Sequence, residues 1–358
     1  MAAATSWGFA FTLSTVFAVI LLISGGLAQV PATSAPATPS SGNGDGSAAG
    51  QQTVPAGNPV VAPPVSAQEP AAQEPSANDQ GSMFVFKKQV EEVVLHATVI
   101  DEQRHLVSGL DRGTFAVLDG GVPQAITSFR REDVPVAMGI VIDNSGSMRE
   151  KREKINQAVL NLIRASNPQD QIFVVNFGQN PYLDQDFTSD VNLLQAALHQ
   201  VSAKGSTALY DAIVASAVHL KNNPLEKKVL LVITDGQDNM SQETLQEASH
   251  QLQPANGPTL YAVGLLGNGL EGPGREALQR LAERTGGVAY FPETLDQVDN
   301  ITRTVAHDIR NQYMIAYKPR NQNVKPGYQS VQVEAHAPGL GKLTVRTQTG
   351  YYAEDRAH

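Results

Sequence analysis

The 358-residue chain contains no cysteine. Disulfides, thiolate metal sites and cysteine nucleophiles are therefore excluded, and a folded part of this size must be held by burial alone. No Lys or Arg precedes Lys87, and residues 1–28 carry no charged side chain of either sign. Residues 29–81 have no aromatic residue. Two hydrolase signatures are also missing: the histidines never fall at HExxH spacing, and no G-x-S-x-G occurs. Asp143 lacks the second aspartate at i+2 that an aspartyl-phosphate site requires. The net charge is −9, of which Asp45, Glu69, Glu74 and Asp79 supply −4, leaving −5 for the rest. No clustered positive field is available, which argues against a nucleic-acid or anionic-membrane partner.

What is present divides by texture. Gly8 to Ile23 is almost continuously apolar, shorter than the roughly 20 residues that span a bilayer. With small residues at Gly26 and Ala28 it is expected to be a signal peptide over residues 1–28, so the protein is expected to be exported (periplasmic, cell-surface or secreted). Membrane contact is expected only through an uncleaved leader. Residues 29–81 are rich in Pro, Ala, Ser and Gly and hold too little apolar surface to offset their ordering entropy, so they read as a disordered linker.

From residue 82 to 133 the pattern is all strand. "VVLHATVI" places Leu95, Ala97 and Val99 on one face, with His96 and Thr98 on the other. "FAVLDGGVPQAITSF" turns through Gly120-Gly121, a hairpin signal. Between 134 and 312 strands alternate with amphipathic helices: "VPVAMGIVI", "QIFVVNF", "KVLLVIT", "TLYAVGL" and "GVAYF" are separated by helical stretches beginning near Arg149, Val191, Ala208, Gln242, Arg275 and Leu295. Near-continuous apolar strands between helices indicate a doubly wound, mostly parallel α/β sheet covered on both faces. From 313 to 358 half-buried strands return. The two strand groups are each too small to stand alone, so the expected architecture is the α/β domain inserted in one small β-sandwich.

Ligands of open α/β sheets bind beyond the carboxyl ends of the strands. "DNSGSM" follows the first strand of the insert, "TDGQDN" follows "KVLLVI", and "KGSTALYDA" opens a helix at Thr207. Each has a bland reading: turn and helix cap, Asp-Gly turn, helix start. "GNGLEG", Gly267 to Gly272, matches G-x-G-x-x-G, yet Pro273 separates it from its helix and Glu271 would face a pyrophosphate. It is expected to be an ordinary loop.

Asp143-x-Ser145-x-Ser147, then Thr207 in "GSTALYDAI" and Asp235 in "ITDG", resemble the von Willebrand factor type A domain and its metal-ion-dependent adhesion site. The flanking strands, with "SGLDRGTFAVLDGGVPQAITSF" before and "GYY" after, resemble the exported acidobacterial-type members related to that family. The resemblance implies that Ser145, Ser147 and Thr207 ligate a divalent cation directly, while Asp143 and Asp235 act largely through water. Mg²⁺ is the expected ion, with Mn²⁺ and Ca²⁺ the other candidates. Three neutral hydroxyls backed by two carboxylates leave a hard cation under-neutralised, so an anionic oxygen should complete it. The start of the Arg149 helix is expected to add positive partial charge at the same face. The expected function is a metal-dependent binding module, not an enzyme, whose partner is a protein offering an Asp or Glu carboxylate. The alternative is an assembly scaffold of an envelope complex in which the metal only stabilises the fold.

Overall fold

The computed structural model describes residues 92–131, 133–199, 204–265, 272–320 and 327–353. All of them belong to one unit, Ser82–His358. The expected leader and linker lie outside the described residues, as does all but the last residue of the glycine loop at 267–272. Among the described residues no helix is long and apolar enough to cross a membrane.

Chain order is β1 (Val93–Ile100), β2 (Phe115–Asp119), β3 (Val122–Gln124), β4 (Ile126–Arg130), β5 (Val136–Asp143), α1 (Arg152–Ala165), β6 (Gln171–Phe177), β7 (Pro181–Thr188) and α2 (Val191–His199). There follow α3 (Leu209–Lys221), β8 (Lys227–Thr234), α4 (Leu245–Leu252), β9 (Thr259–Gly264), α5 (Pro273–Arg284), β10 (Ala289–Tyr290), α6 (Gln297–Arg310), β11 (Tyr313–Tyr317), β12 (Gly327–Ala335), β13 (Thr344–Arg346) and β14 (Gly350–Ala353). The expected class is what the chain adopts: a six-stranded, mostly parallel sheet flanked by helices, with antiparallel sheets beside it.

The large sheet runs β10-β9-β8-β5-β6-β7. Every residue of β5 is buried, because strands on both sides and helices on both faces cover it. Met138, Ile140 and Ile142 pack with α1, α2 and α6, while Ala137 and Val141 pack with α3, α4 and α5. One strand escaped the sequence reading. β7 pairs antiparallel with β6 at the sheet edge, and most of it is exposed or half-buried. "PYLDQDFT" has the proline and acids of a protected edge rather than the apolar run of a central strand.

The flanking strands interleave. One sheet has the order β13-β1-β11-β4 and the other β14-β12-β2-β3, so each mixes strands from before and after the α/β domain. Both line a single core that includes Leu95, Phe115, Ile126, Tyr313, Tyr317 and Val333. The β2–β3 hairpin closes through Gly120 (φ 56) and Gly121 (φ 79), the two positive-φ positions that its two-residue turn demands.

The second face of β1, that of His96 and Thr98, also packs against the protein. Thr98 is fully buried and donates to Asp308 on α6 at 2.9 Å. Half-buried His96 faces the start of β8, where the buried Lys227 ammonium donates to the Ile309 carbonyl. Burial first, and Arg310 second, push Lys227 down to about 8, against the pull of Asp133, Asp308 and Asp170. Burial, with Lys227 adding to it, pushes the His96 imidazole down to about 3 from 6.5. The unfolded chain therefore binds more protons than the folded one between about pH 3 and 6.5. The contribution of His96 is complete above 6.5 and is lost as the pH falls through that window. Urea midpoints measured from pH 7 to pH 3 should fall less steeply for His96→Gln than for wild type; parallel curves would show that His96 does not drive acid loss.

Candidate metal centre

The order of the large sheet reverses between β5 and β8: the chain goes from β5 outward to β6 and β7, then returns to β8 and proceeds to β9 and β10. A crevice beyond the carboxyl ends of the strands is expected at that point. Asp143 ends β5 there, and Asp235 directly follows β8.

Asp143 is fully buried, and both of its oxygens are occupied by the protein. Oδ1 accepts from the Ser145 amide at 2.7 Å and Oδ2 from the Thr234 hydroxyl at 2.6 Å. Burial raises the Asp143 carboxyl above the usual range, the Thr234 and Ser145 donors oppose this, and the like charge of Asp235 adds to it. From Asp143 the cluster continues outward. Ser145 Oγ lies 3.1 Å from Ser147 Oγ, and Ser147 donates to Asp235 Oδ1 at 2.8 Å. The other Asp235 oxygen, Oδ2, receives the Lys151 ammonium. Ser147 is exposed, whereas Asp143, Ser145, Thr207 and Asp235 are buried, so the cluster opens to solvent at Ser147.

Thr207 arrives from a separate loop. Its amide donates to Asn239 Oδ1 at 2.9 Å, and its carbonyl accepts from the Asn239 amide at 3.0 Å. That locks it to the loop carrying Asp235. A Cβ on Gly236 would stand 3.4 Å from Thr207 Oγ1 and 4.0 Å from Asp143 Oδ2, so the hydroxyl and the carboxylate converge over that glycine. The 204–208 loop is tied in turn to the first loop by the Lys204 amide, which donates to the Asn144 carbonyl at 2.8 Å. All five sequence-selected residues thus come together where these loops meet.

The capping reading fares badly. Ser145 precedes a 3₁₀ turn over Gly146–Met148, and neither it nor the residue before α1 makes a side-chain cap bond. α3 starts at Leu209 after Ala208, and its first amides donate not to Thr207 but to Asp238 Oδ1 (Leu209, 2.8 Å) and Ser241 Oγ (Tyr210, 3.0 Å). The serine hydroxyls are directed at each other and at Asp235 instead. This also corrects the expected helix start. The 3₁₀ turn and the residues after it delay α1 to Arg152, so the helix end lies at Lys151 rather than Arg149.

Sequence reasoning missed three supporting residues. Thr234 supplies the donor that holds Asp143. Lys151 neutralises part of Asp235. Arg152, buried, donates to Asn176 Oδ1 at 2.8 Å and the Asp143 carbonyl at 3.4 Å, and burial lowers its pKa. A lysine and an arginine in a charged stretch look like a solvated helix start; only the buried polar residues around them distinguish these two.

The donor set suits a hard divalent cation. It is all oxygen, combines two carboxylates with three hydroxyls, and already draws one ammonium onto Asp235. Among the described residues no group of three or more His, Asp or Glu side chains is placed to hold a metal ion.

The von Willebrand factor type A domain family model matches residues 138–237, a span that runs from β5 to just past Asp235. The chain contains a von Willebrand factor type A domain. Solved structures similar to it include a von Willebrand factor type A protein from Catenulispora acidiphila, at 15% identity over 75% of this chain and 76% of that one (TM-score 0.44). Proximal thread matrix protein 1 from the mussel byssus, in a form with a zinc-occupied MIDAS motif, matches at 17% identity over 54% of this chain and 50% of that one (TM-score 0.45). The PilB minor pilin from Streptococcus sanguinis matches at 13% identity over 50% of this chain and 62% of that one (TM-score 0.42). The match thus spans less than two thirds of the pilin and half of the mussel protein. No curated protein matches the sequence at a significant level. Type A domains are commonly metal-dependent protein-interaction modules, and the converging loops of this one lie inside the matched span.

Proposed function

We propose that the protein is an exported binding module without catalytic activity, whose type A domain holds a divalent cation through Asp143, Ser145, Ser147, Thr207 and Asp235 and captures a carboxylate of a partner protein. The observation that carries this reading is the direction of the serine hydroxyls: Ser145 caps no helix and meets Ser147, and Ser147 meets Asp235 across 88 positions of sequence. When bound, the ion supplies a positive charge with room for one more anionic oxygen. The chain's own residues set where that charge sits. Thr234 and the Ser145 amide fix Asp143 from behind, so its negative charge stays buried and aimed at the loops. Asn239 fixes Thr207. Ser147, open to solvent, marks the side from which a partner arrives. Lys151 holds Asp235 and must be shared or displaced when a second cation enters. Mg²⁺ is the proposed ion, as the one that best tolerates few protein ligands and several waters. The acidobacterial-type relationship is proposed on the flanking strands, and export on the apolar leader.

A pull-down from the native envelope fraction tests the binding role. With Mg²⁺ the immobilised protein should retain a defined partner that EDTA elutes and that Asp235→Ala fails to retain. A partner held equally well in EDTA would favour the scaffold reading, in which the ion only stabilises the fold.

A further inference from the structure

At the opposite side of the large sheet from β7, the edge strand β10 borders a cavity of about 920 Å³. Residues 287–291 line it in unbroken succession, α5 and α6 wall it on two sides, and the end of β1 with β13 closes it at the sandwich. β10 is paired on one side only, in parallel with β9. The Val288 carbonyl accepts from the Ala262 amide at 3.0 Å, so Val288 and Tyr290 turn their backbone groups toward β9. By strand alternation, Ala289 and Phe291 present theirs to the cavity, where no further strand lies among the described residues.

Asp101, Glu102, Arg104 and Lys342 line the cavity on its sandwich side, and four further charges lie along β10, its helices and β13. Glu283 stands at the beginning of the β10 edge, where its carbonyl takes the Gly286 amide at 3.2 Å. Asp308 and Arg346 neutralise each other at the same end, 3.0 Å apart. At the far end Arg275 lies over the Phe291 ring, 4.2 Å from its centroid, and no carboxylate is paired with it among the described residues. Backbone donors and acceptors facing a cavity suit a strand; an uncompensated guanidinium at one end selects an acidic side chain. We propose that this groove receives an extended segment of a partner protein, which adds to the sheet beside β10 and places a carboxylate on Arg275. The site is separate from the metal centre: β9 and β8 lie between β10 and β5.

The test uses the full-length protein and a fluorescently labelled seven-residue peptide that alternates valine and threonine around a central glutamate. Anisotropy should show saturable binding that EDTA leaves unchanged. A copy with lysine in place of glutamate should bind roughly five-fold more weakly, as expected for an exposed charge pair. A copy N-methylated at alternate amides should not bind, because it cannot form the ladder. Arg275→Glu should reverse the preference for glutamate over lysine. Ala289→Pro, which removes the cavity-facing N–H and spares the bonds to β9, should abolish binding. If that variant misfolds, the N-methylated copy on wild type still decides the matter. Absence of saturable binding, equal binding of the N-methylated copy, or loss of binding in EDTA would each overturn the proposal.

Discussion

Mg²⁺ added to the wild-type protein is expected to bind at one-to-one stoichiometry, and Asp143→Ala is expected to abolish that binding. At a free metal concentration a hundred times the dissociation constant, the wild type should gain about 2.7 kcal/mol of apparent stability by mass action. Asp143 is fully buried, and its charge lies beside that of Asp235. Its loss also frees the Thr234 hydroxyl and the Ser145 amide, and the metal-free variant should itself be less stable than the metal-free wild type. Ser147→Ala should weaken the metal increment without removing it, since both carboxylates remain. Lys151→Met gives the opposite sign: with its ammonium gone, Asp235 is left uncompensated, and added metal should restore more stability than in wild type. Calorimetric titration of the four proteins reads all of this. No metal heat in wild type, or equal heat in wild type and Asp143→Ala, would reduce "DNSGSM" to a turn, whose single substitutions cost roughly 0.5–2 kcal/mol with or without metal.

The second large effect is expected far from the metal, at Asp308→Ala, with a loss of about 3–5 kcal/mol. Asp308 sits on α6 and is almost wholly buried. Oδ1 accepts from the Thr98 hydroxyl of β1 at 2.9 Å; Oδ2 accepts from the Tyr261 hydroxyl of β9 at 2.8 Å and from Arg346 of β13 at 3.0 Å. One carboxylate thus joins the sandwich to the α/β domain. Alanine leaves three donors without their acceptor, the Arg346 cation among them, and that is the costly way to break a buried pair. Asp308→Asn keeps an oxygen and should cost less. In chemical denaturation the wild type should unfold in one transition, and Asp308→Ala should either shift it as a whole or split it in two. An unchanged midpoint would mean that the sandwich and the α/β domain do not depend on this contact.

The sequence by itself determined the elements whose residues all obey one rule. Val136–Ile142 of β5 and Val229–Ile233 of β8 are uninterrupted apolar runs because they are buried on both faces, and that pattern needs no knowledge of the neighbours. Gly120-Gly121 specified its turn because few residues tolerate two successive positive φ angles. Asp143, Ser145 and Ser147 stood out because they lie close together along the chain. Only the tertiary structure decided the rest. β7 is a strand because β6 offers it a ladder, not because its mixed polar sequence prefers one. His96 and Thr98 alternate with the apolar residues of β1, yet Thr98 is buried and His96 half-buried because α6 and the start of β8 pack there. Lys151 and Arg152 follow one another in a charged stretch, and their different roles come from Asp235 and Asn176, contributed by other strands and loops. Thr207 and Asp235 meet Asp143 only because the sheet order reverses between β5 and β8, which brings three distant loops to one crevice. Spacing along a chain records local geometry; convergence across a switch point is set by the packing of whole strands.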